Sequence, residues 1–144
     1  MNFDDQIGIL VRNAHLSISS YVKKQLEPFD LAPEQNLIMM MLWKKDGISP
    51  NEFSFELNKD KANIARMIAS LEKKGYIKRE DDPSDKRTFK VHLTKDGRHL
   101  ESLVVPILRK THQTVLDGIS EEQLVELRNL ISIMINNTLG GNES

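Results

Sequence analysis

"KANIARMIASLEKKG", residues 61–75, decides how this chain is read. Ile64, Met67, Ile68 and Leu71 recur at helical spacing, so the segment is expected to form an amphipathic helix. Its other side carries Lys61, Ala62, Ala65, Arg66, Ala69 and Lys73. Three alanines among three cations make a slim, positive surface with no bulky side chain to hold a partner away. Asp60 is placed to cap the helix, and Gly75 to end it in the left-handed region.

Upstream lies "SPNE", residues 49–52, in which Ser49 caps, Pro50 takes the first helical position and Glu52 closes a capping box. The short helix this starts runs to about Leu57, with Phe53 and Leu57 facing inward, and the turn "NKD" follows. Two helices joined by a short turn, the second slim and basic, read as a helix-turn-helix. Downstream, "YIKRE" and "TFKVHL" alternate as strands, with Phe89, Val91 and Leu93 on one face. They flank "DDPSDKR", residues 81–87, where Asp81, Asp82 and Pro83 shape a turn. A solvated turn needs polarity, but it does not need Lys86 and Arg87 thrust out at its end.

The outer segments are helical. Residues 4–27 place Ile7, Leu10, Val11, Ala14, Ile18, Tyr21, Val22 and Leu26 at helical spacing, and Pro28 ends the run. A second helix starts at Pro33 and is apolar on nearly every side from Leu37 to Trp43, which predicts a buried central post. Thr94 caps a fifth helix over residues 95–118, in which Pro106 is expected to produce a kink. "SEEQ", residues 120–123, starts a sixth with Leu124, Leu127, Leu130, Ile131 and Met134 on its apolar side, and the tail "GGNES" is expected to fray. The fold expected is mainly α with a small β-wing. A winged helix-turn-helix core, residues 33–98, sits between an N-terminal dimerisation helix, 1–32, and C-terminal dimerisation helices, 99–144, as one intertwined unit. The terminal helices carry more apolar surface than one such domain can cover, which predicts a homodimer.

Composition excludes several classes. At 144 residues, 39% hydrophobic and 28% charged, the chain suits a single globular domain. No apolar run approaches the roughly 18 residues of a membrane span. "MNFDDQIGIL" begins acidic and lacks the basic region of a secretory signal. Without cysteine there is no disulfide, thiolate nucleophile or thiol redox switch, so a cytoplasmic location is expected. Net charge is −1, but it is unevenly placed. Residues 59–98 hold 12 Lys/Arg against 7 Asp/Glu, a net +5, while the rest holds 8 against 14, a net −6. A basic middle steers a polyanion even when total charge is near zero.

The partner these features fit is double-stranded DNA. The major groove admits one helix and displays a distinct donor and acceptor pattern. Lys61, Asn63 and Arg66 are the expected readers, with Ala62 and Ala65 allowing close approach. Ser49, Asn51, Lys59 and Lys73 are expected at backbone phosphates, where helix N-termini add N–H donors. The adjoining hairpin would then reach toward the narrow, negative minor groove, which attracts inserted arginine. Arg87 is the natural probe, Asp85 could hold its guanidinium by a charge-assisted bond, and Lys86 adds charge beside it.

Residues 48–100 resemble the winged-helix core of the MarR family of bacterial transcription regulators. The resemblance is carried by "LEKKGYIKRE" closing the recognition helix, the "DPSDKR" wing, and "LTKDGRHL" opening the next helix. "LAPEQNLIMMML" is similar to the family's second helix more loosely. The resemblance implies an obligate homodimer, a palindromic operator, and repression relieved by a small ligand. It also places Asp85 and Arg87 as the wing pair and Lys61, Ala62, Asn63 and Arg66 at recognition positions. Ala62 and Ala65 stand where the family often has Ser or Thr, and Asn36 where an aromatic is common. The ligand pocket it implies, between the dimer helices and the core, would include His15, Met39, Met40 and Trp43. Adaptable methionines there suit an apolar or aromatic-acid effector.

An enzyme fits poorly. His15, His92, His99 and His112 include no i, i+4 metal pair, so no metal or cofactor is expected. There is no Gly-rich phosphate loop and no nucleophile elbow. A winged helix used only to dock proteins is the other alternative, but such modules usually lose the positive face kept here.

Overall fold

A single 3-10 turn, Phe3–Asp5, precedes α1, Ile7–Leu26. The computed structural model describes residues 2–140, so the tail beyond Gly140, where fraying was expected, lies outside the described residues. A second 3-10 turn, Glu27–Phe29, contains Pro28 and turns the chain into α2, Pro33–Lys44. Then come α3, Pro50–Leu57, and α4, Lys61–Lys73. The antiparallel strands β1, Ile77–Asp82, and β2, Asp85–Leu93, form the wing. They are followed by α5, Lys95–Val115, and α6, Glu121–Gly140. The chain divides into two compact units, residues 1–111 and 112–144.

Local chemistry sets the element boundaries. Glu52 N donates to Ser49 Oγ (3.2 Å) and Ser49 N to Glu52 Oε1 (3.3 Å), which completes the capping box of α3. Asn58 and Gly75 close α3 and α4 with positive φ, +49° and +83°. Gln123 N donates to Ser120 Oγ, and Ser120 N to Gln123 Oε1, so α6 begins in the same way. Thr94 Oγ1 accepts from Gly97 N at 3.0 Å at the start of α5. A Cβ on Gly97 would lie 2.0 Å from the Tyr76 carbonyl oxygen, so no larger residue fits where α5 meets the chain leaving α4.

The core of the first unit gathers Leu26, Ile38, Met39, Leu42, Phe53, Ile64, Ile68, Leu71, Ile77, Val91 and Val104, all essentially inaccessible. Each such side chain contributes about 1.5–3 kcal/mol of burial. The short bridge between Ile48 and Val91 lays the α2–α3 connection along the wing.

Three expectations are corrected. The second helix is not buried all round: Ile38, Met39 and Leu42 face the core, but Met40 is 46% and Leu37 38% exposed. One side of α2 is enough to line this core, and an all-apolar run does not show which side that is. The wing's turn is tighter than expected, because Asp82 pairs with Asp85 and only Pro83 and Ser84 lie between. Asp85 and Arg87 are therefore strand residues. The fifth helix stops at Val115, followed by a turn in which Gly118 takes φ +85°. Pro106 sits within that helix, where its ring carries no N–H to donate.

Candidate nucleic-acid interface

Burial of Ile64, Ile68 and Leu71 fixes the rotation of α4 and turns the opposite face outward. Lys61, Ala62, Ala65, Arg66, Ala69 and Lys73 are all exposed there, and Asn63 is half-buried beside them. Asn63 N donates to Asp60 Oδ1 at 2.7 Å, the cap of the helix. Arg66 Nη2 donates to Asn63 Oδ1 at 2.6 Å. The residues expected to approach a groove thus share one surface, on which the alanines leave room between the flexible Lys61, Arg66 and Lys73.

The wing tip is held by its own carboxylates. Asp82 Oδ1 accepts from Ser84 Oγ (2.7 Å) and Ser84 N (3.0 Å). The Ser84 hydroxyl, and after it the Ser84 backbone N–H, hold the Asp82 carboxyl below its ordinary pKa. Asp85 Oδ1 accepts from Arg87 N (3.0 Å) and Arg87 Nε (3.2 Å). Arg87 remains 91% exposed, a cation oriented at its base and free at its end. Lys86 is exposed beside it.

The wing is tied back to the helix. Arg79 of β1 lies 3.2 Å from Glu72 Oε1 of α4, and its guanidinium covers the Phe89 ring of β2 at 4.8 Å. Of the residues expected at phosphates, Ser49 serves in the α3 cap, Asn51 and Lys73 are exposed, and Lys59 is paired with Glu34 at 2.9 Å. No sequence pattern signals the Glu72–Arg79 link, because it joins two elements across a turn.

The four residues expected around a ligand occupy different environments. His15 and Met40 are exposed, and Met39 is enclosed in the core. Trp43 donates from Nε1 to the Gly97 carbonyl at 3.0 Å. A groove of about 360 Å³ opens elsewhere in the first unit, where Tyr21 and Lys24 of α1 and Pro28 face Ile107, Lys110 and Thr111 of α5. Lys24 and Lys110 are 86 positions apart, so nothing in sequence spacing joins them. Among the described residues no group of three or more His, Asp or Glu side chains could hold a metal ion. No described helix is long and apolar enough to cross a membrane.

A helix-turn-helix followed directly by an antiparallel hairpin defines a winged-helix protein. The sequence model of the MarR family matches residues 31–89. The chain is 31% identical over 107 residues to the Transcriptional regulator HosA of Escherichia coli O111:H-, spanning 74% of this chain and 79% of that one. A MarR transcriptional regulator from Methanosarcina mazei Go1 shares its structure at TM-score 0.82 and 30% identity, over 93% of this chain and 96% of the other. A mutant E. coli MarR solved in complex with operator DNA shares the fold at TM-score 0.84 and 22% identity, over 89% and 92%. The chain belongs to the MarR family: it is a transcription regulator and not an enzyme.

Proposed function

We propose that this regulator binds a palindromic double-stranded operator as a homodimer in the bacterial cytoplasm and represses transcription there. The observation that carries the reading is the combination of a slim, cationic α4 face with Arg87, steadied by Asp85 at the tip of the adjoining wing. Lys61 and Arg66, with Asn63 beside them, would enter the major groove while Arg87 enters the minor groove. The E. coli MarR–operator complex, which shares the fold, supports this docking.

Dimerisation is supported by the apolar surface of single helices. Ile7, Leu10, Val11 and Ile18 of α1 are each at least 41% exposed. On α6, Val125, Leu130, Ile133 and Ile135 are at least half exposed. Surface of this kind calls for a partner, and a second copy would set two recognition helices about 34 Å apart for successive major grooves. An effector that favours another spacing would lower DNA affinity by its differential affinity and no more. The groove with Lys24 and Lys110 beside Tyr21, Pro28 and Ile107 suits an aromatic acid, its carboxylate toward the ammonium groups.

Fluorescence anisotropy with the DNA upstream of the protein's own gene, beside a shuffled duplex, tests the reading. Tighter binding to the native duplex, with two chains per site, is expected. Equal, weak binding to both would leave an operator elsewhere or a winged helix used on proteins, and weak binding unchanged in Arg87→Ala would favour the second.

A further inference from the structure

We infer that Asn63 orients Arg66, committing the recognition helix to a guanine in each half-site instead of reading an adenine itself. The inference rests on the DNA-binding reading above and adds a base preference to it.

The partners of the arginines carry the argument. On the wing and α5, Arg79, Arg87 and Arg98 each sit against a carboxylate, of Glu72, Asp85 and Glu101, while Arg12 of α1 makes a long contact to Asn13 Oδ1 at 3.4 Å. Arg66 instead donates to the neutral amide oxygen of Asn63, and among the described residues it forms no ion pair. An amide acceptor fixes the direction of the guanidinium without cancelling its charge, so the positive potential still points outward. Asn63 is well placed to do this. Its backbone is pinned by the Asp60 cap, and the i, i+3 spacing puts the two side chains on one face. Of the other residues one turn from Arg66, Ala62 and Ala69 carry no side-chain acceptor, and Ser70 Oγ is engaged by Gln35 Nε2 at 3.0 Å.

A guanidinium has five N–H donors, and one spent on Asn63 leaves a fork for guanine O6 and N7. Adenine reading by Asn63 would need its amide plane set by the base, with Oδ1 accepting from N6–H and Nδ2 donating to N7. Here Arg66 sets that plane through a short, charge-assisted bond.

Selection from a duplex library with randomised half-sites, using the full-length wild type, Asn63→Ala and Arg66→Lys, tests this. The wild type is expected to enrich guanine at one position of each half-site. Arg66→Lys replaces the planar fork with a single ammonium and is expected to reduce that preference about tenfold. Asn63→Ala is expected to weaken it at the same position by a smaller factor, leaving every other position unchanged. A uniform loss across all sequences would make Asn63 a merely structural residue and overturn the inference. Loss of an adenine preference at a different position, with guanine kept, would overturn it equally, while leaving the protein a DNA binder. A wild type that binds no duplex would remove the DNA-binding reading and this inference with it.

Discussion

Arg79 reaches from the wing to the end of α4, where its Nε lies 3.2 Å from Glu72 Oε1. Both side chains are about two-fifths exposed, 42% and 40%, so the pair itself adds only about 0–1 kcal/mol to stability. Its consequence is geometric. With the guanidinium also over Phe89, the pair links the end of α4 to the hairpin at the surface, beside the buried Leu71, Ile77 and Val91. Arg79→Ala is expected to leave the melting temperature nearly unchanged while weakening operator binding by roughly 1 kcal/mol. A variant that binds as tightly as the wild type would show that the wing needs no such tie.

Arg87 and Asp85 make a graded prediction. Arg87→Ala removes the cation proposed to enter the minor groove and should cost about 1–3 kcal/mol of DNA affinity without unfolding the protein, since the side chain is solvated when free. Asp85→Asn keeps the cation but weakens its anchor, so a smaller loss is expected. Anisotropy titrations of both variants check the order, and unchanged affinity in Arg87→Ala would remove the wing from the interface.

Leu127, 40% exposed on α6, lies on the face assigned to the second copy. Leu127→Asp places a charge on that face and is expected to shift the protein toward monomer in sedimentation, with DNA binding lost in parallel. A dimeric, DNA-competent Leu127→Asp would refute that assignment of α6.

The wing's turn should respond to acid. Because the Asp82 carboxyl is held below its ordinary pKa, its contribution to the hairpin is present above the unfolded carboxyl's pKa. It is lost as pH falls through the folded value. Ser84→Ala deletes the hydroxyl that contributes most, so the Asp82 titration followed by NMR should move upward toward the ordinary carboxylate range. An unmoved titration would mean that the hydroxyl does not hold it.

How much of this was legible in the sequence varied with the kind of interaction. The caps at Ser49, Asp60 and Ser120 act within three residues, so their partners could be read directly. The buried side of α4 was legible because polar and apolar residues separate at helical period. The exposure of Leu37 and Met40 was not, since a helix apolar on every side has no periodicity to show which side is covered. The Glu72–Arg79 tie and the groove holding Lys24 and Lys110 depend on tertiary packing between elements, which no local pattern encodes.

The salt dependence of binding tests most directly whether the α4 and wing surface grips a DNA backbone. Affinity for the upstream duplex would be measured from about 50 to 200 mM salt, a range over which a protein making six to ten phosphate contacts loses about 10³–10⁵ in affinity. A steep loss, with a logarithmic slope of about −0.9 for each phosphate neutralised, is the predicted result. A flat response would mean that this surface does not displace counterions from DNA, and would contradict its assignment as the interface.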